Sequence, residues 1–250
     1  MSGIDRDSSS NGDGQDKKER LPKSAKTAWD ERAPQWRSEG KPHRIFTDFV
    51  EAHRSELGID AIDIGCGNAI YLIPLAQQGF NVTGVDVSEK MLQVARQNLE
   101  KSGLSDKVRL GNATTMLLPF PNQSFDFGIS FGVFHFNSWE DIQNSFAEAA
   151  RVLRPDSYFM LQVRSVNDTD RPRKQTSDTP GGFIAVDIEG AMKDVEQHYF
   201  TKEALMSLGT QYGFEVVQGP TEDAPREENA RESRKRWWVV YRKTAKTEMP

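Results

Sequence analysis

Five short apolar segments alternate with amphipathic ones through the middle of the chain, and this alternation constrains the fold more than any other feature. Helical patterns at 88–103 and 138–155 separate some of the segments, and a shorter one ends near Ala76. Strands that alternate with helices at this spacing predict right-handed βαβ units and a doubly wound, mostly parallel α/β sheet. Ligands of such sheets bind beyond the carboxyl ends of the strands. The predicted strands cover residues 61–65, 81–87, 108–113, 125–131 and 157–163.

The C-terminal part of the chain departs from this alternation. We expect residues 165–200 to be an insertion that covers the substrate, with its polar first half forming a loop. The basic run at 171–174 is interpreted as a solvated surface, and the alternative is contact with an anionic acceptor. A predicted helix at 201–213 is followed by predicted strands at 214–219 and 237–243. Two strands without an intervening helix most simply pair antiparallel.

The composition predicts a folded protein with a polar leader. Hydrophobic residues are 36% of the 250, which suffices for a single domain over 25–250, whereas residues 1–24 are too polar to fold and predict a disordered tail. The single cysteine, Cys66, excludes an internal disulfide. The net charge of −5 argues against a nucleic-acid partner, and no apolar run approaches the roughly 18 residues of a membrane span. Without a signal-peptide pattern, we expect a cytoplasmic protein.

The segment IDIGCGNAIYL, residues 62–72, has the pattern of a ligand-binding turn. Gly65 and Gly67 follow a strand and open a helix, and glycine lets the backbone approach a ligand closely. A dinucleotide fingerprint would have a third glycine where this chain has Ile70. Asp63 would also repel a pyrophosphate. The pattern therefore favours a ligand with an amino acid end, and a nicotinamide-dependent oxidoreductase is a weaker alternative.

Polar residues end the next two predicted strands. Asp86 can accept hydrogen bonds from both hydroxyls of a ribose, and its alternative role, capping the following helix, already fits Ser88. Asn112 can accept from an adenine amino group while the Ala113 N–H donates to a ring nitrogen. An asparagine that merely forms a turn is the alternative interpretation of Asn112.

Together these motifs resemble the class I S-adenosylmethionine-dependent methyltransferases of the small-molecule type, close to the methyltransferase domain 11 and 25 groups. The resemblance is carried by DIGCG from Asp63, GVDVSEKML from Gly84, GNA from Gly111 with LPF from Leu118, and SFD from Ser124. It implies a Rossmann-like sheet of seven strands whose last strand is antiparallel. It also implies an enzyme that uses S-adenosylmethionine to methylate a small-molecule acceptor.

The resemblance further implies which residues hold the cofactor. Gly65 and Gly67 would line the methionine end, Asp86 the ribose and Asn112 the adenine edge. This chain departs from the family at Ala69, where a third glycine is common, and at Asn112, where aspartate is frequent. The full set of expected cofactor-binding residues is Trp36, Asp63, Gly65, Gly67, Asp86, Val87, Met91, Asn112, Ala113 and Ser130.

Methyl transfer mainly needs in-line positioning of the acceptor, and a hydroxyl or ammonium acceptor also needs a base. The candidates are His135, which follows the fourth strand, and His198 and Tyr199, which lie in the insertion. Packing without catalysis is the alternative for each histidine. Cys66 is expected to pack within the turn, and we assign no metal site.

Three other functions remain open from the sequence. One is methylation of RNA or protein, a second is cofactor binding without catalysis, and the third is the nicotinamide-dependent oxidoreductase. The sequence identifies neither the acceptor atom nor the oligomeric state.

Overall fold

The computed structural model describes residues 24–35, 40–190, 192–223 and 234–245, and within these ranges it has six α-helices and ten β-strands. The helices are α1 (Ala25–Arg32), α2 (Arg44–Ala52), α3 (Leu72–Gln77), α4 (Glu89–Lys101), α5 (Trp139–Val152) and α6 (Lys202–Gln211). The strands are β1 (Asp60–Ile64), β2 (Asn81–Asp86), β3 (Val108–Asn112), β4 (Phe125–Phe131), β5 (Leu153–Arg164), β6 (Arg173–Thr179), β7 (Gly182–Asp187), β8 (Glu196–Phe200), β9 (Phe214–Asp223) and β10 (Arg236–Lys243).

Seven of these strands form the main sheet, in the order β3-β2-β1-β4-β5-β10-β9. Strands β1 to β5 pair in parallel, and β10 pairs antiparallel with both β5 and β9. The predicted fold class is therefore confirmed: a doubly wound seven-stranded sheet with the last strand antiparallel.

Two apolar layers cover the two faces of this sheet. Helices α2, α3 and α4 contribute to one layer, which includes Phe46, Leu72 and Leu92. Helices α5 and α6 contribute to the other, which includes Phe146 and Leu205. Because both faces are buried, the central strands are apolar along almost their whole length rather than alternating, and this is why they stand out in the sequence.

The predicted helix starts are confirmed by their capping hydrogen bonds. The Ser88 hydroxyl accepts from the Met91 N–H at 3.1 Å, and Ser138 and Thr201 make the equivalent contacts for α5 and α6. Pro155 follows the end of α5 as predicted, but the helix ends earlier than expected, at Val152, and the chain is extended from Leu153. Pro155 disfavours helical backbone at Arg154, so the helix could not have continued to the proline.

The predicted polar loop in the insertion is also wrong, because β6 and β7 form a hairpin there. With β8 they make a separate three-stranded antiparallel sheet in the order β6-β7-β8. This small sheet packs on the main one through β8, where the Val166 N–H donates to the Phe200 carbonyl at 3.0 Å. It lies at the carboxyl end of β5.

Two predictions concern residues that the structure does not describe. The expected tail falls almost wholly within 1–23, and most of the charged connection before β10 falls within 224–233. Among the described helices, none is long and apolar enough to cross a membrane.

Candidate functional site

The glycine turn after β1 forms the floor of the site. The N–H groups of Gly65 and Cys66 both donate to the Val85 carbonyl, at 2.7 and 2.9 Å, which ties the turn to the end of β2. Gly65 has a φ of +85°, and a Cβ at this position would overlap the Val133 side chain. Both the backbone conformation and the close packing therefore require glycine here. Cys66 is buried in the turn, where burial raises the pKa of its thiol, so it packs as predicted.

Asp63 lies beneath this turn in an environment that does not satisfy its charge. Its side chain is 2% exposed, and its Oδ2 finds no hydrogen-bond partner among the described residues. Burial, with a smaller effect of the Asp86 carboxylate, raises the pKa of Asp63 well above its usual value. A buried carboxylate without a partner is costly. The site thus offers a position for a cationic group, and the residues present fit a ligand that carries an ammonium.

Asp86 joins the glycine turn to the start of α4. Its Oδ2 accepts from the Gly67 N–H at 3.0 Å, and its Oδ1 accepts from the Ser88 N–H at 2.8 Å. Its pKa is raised, mainly by burial, while these two N–H groups oppose the shift. Each carboxylate oxygen has a further lone pair, so both can still accept from hydroxyl groups.

Asn112 lies beside Asp86 and continues the site along the strand ends. Its Nδ2 donates to the carbonyls of Asp86 and Val87, at 2.9 and 3.1 Å. Its Oδ1 makes no hydrogen bond to any described residue, and so it is available as an acceptor. The Ala113 N–H already donates to the Asp86 carbonyl at 3.2 Å, so contact with a ligand would require this bond to be shared or broken.

The other expected cofactor residues lie around the same turn. Met91 is buried with its Cε close to Gly67, and Val87 is half-buried at the mouth. The buried Ser130 hydroxyl donates to the Ile64 carbonyl at 2.8 Å, which joins β4 to β1 under the turn. Trp36 lies outside the described residues.

Helix α1 packs over this region through a contact that the sequence did not reveal. The Ser88 hydroxyl, besides capping α4, donates to Asp30 Oδ1 at 2.6 Å. The two residues are 58 positions apart, and an aspartate in a polar helix carries no signal for such a pairing.

His135 lies in a short 3-10 turn just after β4, as expected from the sequence. It is 3% exposed, and its Nδ1 has no hydrogen-bond partner within the described part of the chain. Burial, together with the nearby Arg164 and Arg236 guanidinium groups, holds its pKa well below the usual value. The imidazole is therefore neutral at pH 7.

The structure separates His198 from Tyr199, because neighbouring residues of a strand point to opposite faces. His198 stacks on Trp139, with ring centroids 5.3 Å apart, and its Nε2 is 2.6 Å from the Thr179 hydroxyl oxygen. Burial lowers its pKa to about 4. Tyr199 is fully buried between Phe183 and Arg173, and its hydroxyl has no partner in the described structure.

A buried group of charged residues, which the sequence analysis missed, lies next to Tyr199. Arg164 Nη1 pairs with Asp168 Oδ2 at 2.8 Å and with Asp170 Oδ1 at 3.2 Å. Arg236 pairs with the same Asp168 carboxylate, and Arg173 donates to the Asp168 carbonyl. The available signal was Arg164 itself, a charged residue at the end of an otherwise apolar strand.

The basic run 171–174 is therefore not simply solvated. Arg171 pairs with the buried Asp187 at 3.3 Å, and Arg173 is half-buried over Tyr199. Only Lys174, of the three basic residues in the run, is exposed as expected.

Comparison with known proteins shows which sequences this chain resembles. Residues 62–161 match the model of a methyltransferase domain. An uncharacterized protein of Haemophilus influenzae is 33% identical over 160 residues, 64% of this chain and 63% of that protein. A demethylmenaquinone methyltransferase of Listeria welshimeri is 35% identical over 112 residues, 43% of this chain and 46% of its own length. The chain thus spans less than two thirds of either relative.

Solved structures share the fold. A SAM-dependent methyltransferase from Methanosarcina mazei superposes with a TM-score of 0.65 at 20% identity, over 83% of this chain and all of that one. The predicted resemblance to the S-adenosylmethionine-dependent methyltransferases is thus confirmed over residues 62–161, which match the methyltransferase domain model. S-adenosylmethionine is the cofactor of this family.

Proposed function

We propose that the protein transfers a methyl group from S-adenosylmethionine to a small-molecule acceptor. The observation that carries the proposal is Asp63, a buried carboxylate with an unpartnered oxygen beneath the glycine turn. It suits the ammonium of a methionine end and opposes a pyrophosphate. The likeness to a demethylmenaquinone methyltransferase supports a small molecule as the acceptor.

The residues at the strand ends would hold the parts of the cofactor in order. Asp63 would hold the ammonium, Asp86 the two ribose hydroxyls, and Asn112 Oδ1 the adenine amino group. Val87 and Met91 would supply an apolar contact for the adenine ring. When bound, the cofactor supplies a methyl group on a sulfonium, which is already electrophilic.

On the acceptor side, His135 is the residue that we assign to the reaction. Its free Nδ1 can accept a hydrogen bond from an acceptor hydroxyl or ammonium group. Because its pKa is held low, His135 would orient such a group more effectively than it would remove a proton from it. His198 and Tyr199 have different surroundings, and we assign His198 to support of the site through Trp139 and Thr179.

Calorimetric titration with S-adenosylmethionine and S-adenosylhomocysteine tests the cofactor assignment. We expect Asp86→Ala to weaken binding by about 100-fold, since two hydrogen bonds to a charged group are worth roughly 3 kcal/mol together. Glu100→Ala, an exposed acid on α4, is the matched control and should bind like the unaltered protein. Absence of binding by folded protein would refute the proposal, and NADH is then the next ligand to titrate.

Transfer is tested separately, with labelled donor and metabolite extracts. Label that moves to a small molecule supports the proposal, whereas label in RNA or protein would move the function to a different acceptor class. Cofactor binding without transfer to any of these fractions would favour the non-catalytic alternative.

A further inference from the structure

Two buried arginines, Arg164 and Arg236, and the half-buried Arg173 lie at the carboxyl edge of the main sheet, and we call them the arginine cluster. Strand β5 ends at Arg164, and the antiparallel β10 begins at Arg236 directly opposite. Strand β4, which neighbours β5, leads to His135 at the same edge. The cluster is therefore on the side of the site that faces away from the adenine end.

Among the described residues, one guanidinium group of the cluster has no carboxylate partner. Asp168 is shared by Arg164 and Arg236, so a single carboxylate serves two guanidinium groups. Burial lowers the pKa of Arg236 to about 8, and repulsion from Arg164 adds to the shift. Arg164, Arg171 and Arg236 pair with the carboxylates of Asp168, Asp170 and Asp187, whereas Arg173 donates to the Asp168 backbone carbonyl and pairs with no carboxylate of a described residue.

Two hydrogen-bond donors next to the cluster also lack acceptors. Arg164 Nε and the Tyr199 hydroxyl are both buried, and neither bonds to any residue that the structure describes. The guanidinium carbon of Arg164 is 5.4 Å from the centre of the Tyr199 ring, so the two side chains are neighbours. An N–H and an O–H without acceptors match what a carboxylate offers, namely two oxygens and one negative charge.

We propose that the arginine cluster and the Tyr199 hydroxyl bind a carboxylate of the methyl acceptor. A carboxylate fits better than a phosphate, since only one charge is unmatched. This proposal deepens the proposed function and rests on it, because the carboxylate belongs to a methyl acceptor only if the protein transfers methyl groups. The anion site itself is defined by the buried side chains alone.

Benzoate is the probe for this site, and benzamide is its uncharged counterpart of the same shape. Each is titrated by calorimetry into protein saturated with S-adenosylhomocysteine, and again into the free protein. We expect benzoate to bind at least about tenfold more tightly than benzamide, in line with one charge-assisted hydrogen-bonded pair.

Tyr199→Phe removes the unpartnered hydroxyl and no hydrogen bond, so the variant should fold. We expect it to weaken benzoate binding about tenfold and to leave benzamide binding unchanged. Arg173→Gln, at the half-buried edge of the cluster, should weaken benzoate in the same direction. The control is Tyr212→Phe, which removes a hydroxyl at the end of α6 that meets Gln211.

Three results would overturn the inference: no binding of benzoate, equal binding of benzoate and benzamide, or benzoate binding that neither Tyr199→Phe nor Arg173→Gln changes. Failure of the proposed function would look different. In that case S-adenosylhomocysteine would not bind, while the free protein would still distinguish benzoate from benzamide.

Discussion

The environment of Asp63 favours the binding of a cationic ligand at the expense of the stability of the free protein. A carboxylate with a buried, unpartnered oxygen destabilises the free protein, and a cationic ligand offsets that cost. Asp86, whose charge acts on it, is held in place by two backbone N–H groups. The free protein should thus be less stable than the same fold with a neutral side chain at this position.

We therefore expect Asp63→Asn to stabilise the free protein by about 1–2 kcal/mol and to weaken cofactor binding at least about tenfold. Urea denaturation measures the first effect and calorimetry the second. Asp106→Asn, an exposed acid beyond α4, should change neither. A loss of stability in Asp63→Asn would show that the carboxylate is satisfied in the free protein.

The sequence drew attention to the residues around the glycine turn but not to the arginine cluster, for a reason visible at single positions. Asp63 is the last residue but one of β1, Asp86 and Asn112 end β2 and β3, and the fold rule alone brings the ends of parallel strands together. Arg164 and Arg236 depend on the pairing of two strands far apart in sequence. No local sequence pattern indicates that pairing, so the arginine cluster was missed.

At the scale of elements, the turn between β1 and α3 depends on Gly65 for two separable reasons. Its φ of +85° disfavours any other residue, and the Val133 side chain fills the space that a Cβ would need. Gly79, before β2, has a similar φ of +84° but no atom within 4 Å of such a Cβ. Gly79 is therefore a control position at which a substitution causes backbone strain but no overlap with a neighbouring side chain.

Gly65→Ala should lower the free energy of unfolding by about 2–4 kcal/mol, whereas Gly79→Ala should lower it by only about 1–2 kcal/mol. The difference between these two losses of stability measures the cost of the overlap with Val133. Urea denaturation of both variants measures it, and cofactor titration should show a loss for Gly65→Ala alone. Equal destabilisation would mean that Val133 moves away at little cost.

The exposure of β6 explains why a loop was wrongly predicted in the first half of the insertion. Strands β1, β2 and β4 and the second half of β5 are largely buried and leave apolar runs in the sequence. In β6 the five central residues are all exposed, so neither an apolar run nor an alternating pattern marks it as a strand. Antiparallel pairing with β7 makes β6 a strand, although its own side chains do not indicate one.

For the whole molecule, the two buried histidines make stability depend on pH. The pKa of His198 is lowered to about 4, and that of His135 is lowered well below its usual value, in both cases chiefly by burial. In the unfolded chain a histidine takes up a proton near pH 6.5. Between that pH and the folded pKa, the unfolded state binds more protons, so stability falls as the pH is lowered.

We expect the two histidines to lower the free energy of unfolding as the pH falls from 6.5 toward 4, by up to about 1.4 kcal/mol per pH unit each. The raised pKa of Asp63 acts in the opposite direction, so the prediction concerns the difference between the protein and His198→Gln, which should lose less stability on acidification. Urea titrations at pH 7, 6 and 5 give the slope. Equal slopes for the protein and for His198→Gln would contradict the assignment.

The position of β10 between β5 and β9 has a consequence for biosynthesis. As the chain leaves the ribosome, the parallel strands and the glycine turn are available to fold well before β10 has been made. Strand β9 cannot join the sheet until β10 arrives, and Arg236 meets Arg164 only then. A nascent chain would therefore complete the glycine turn first and the arginine cluster last.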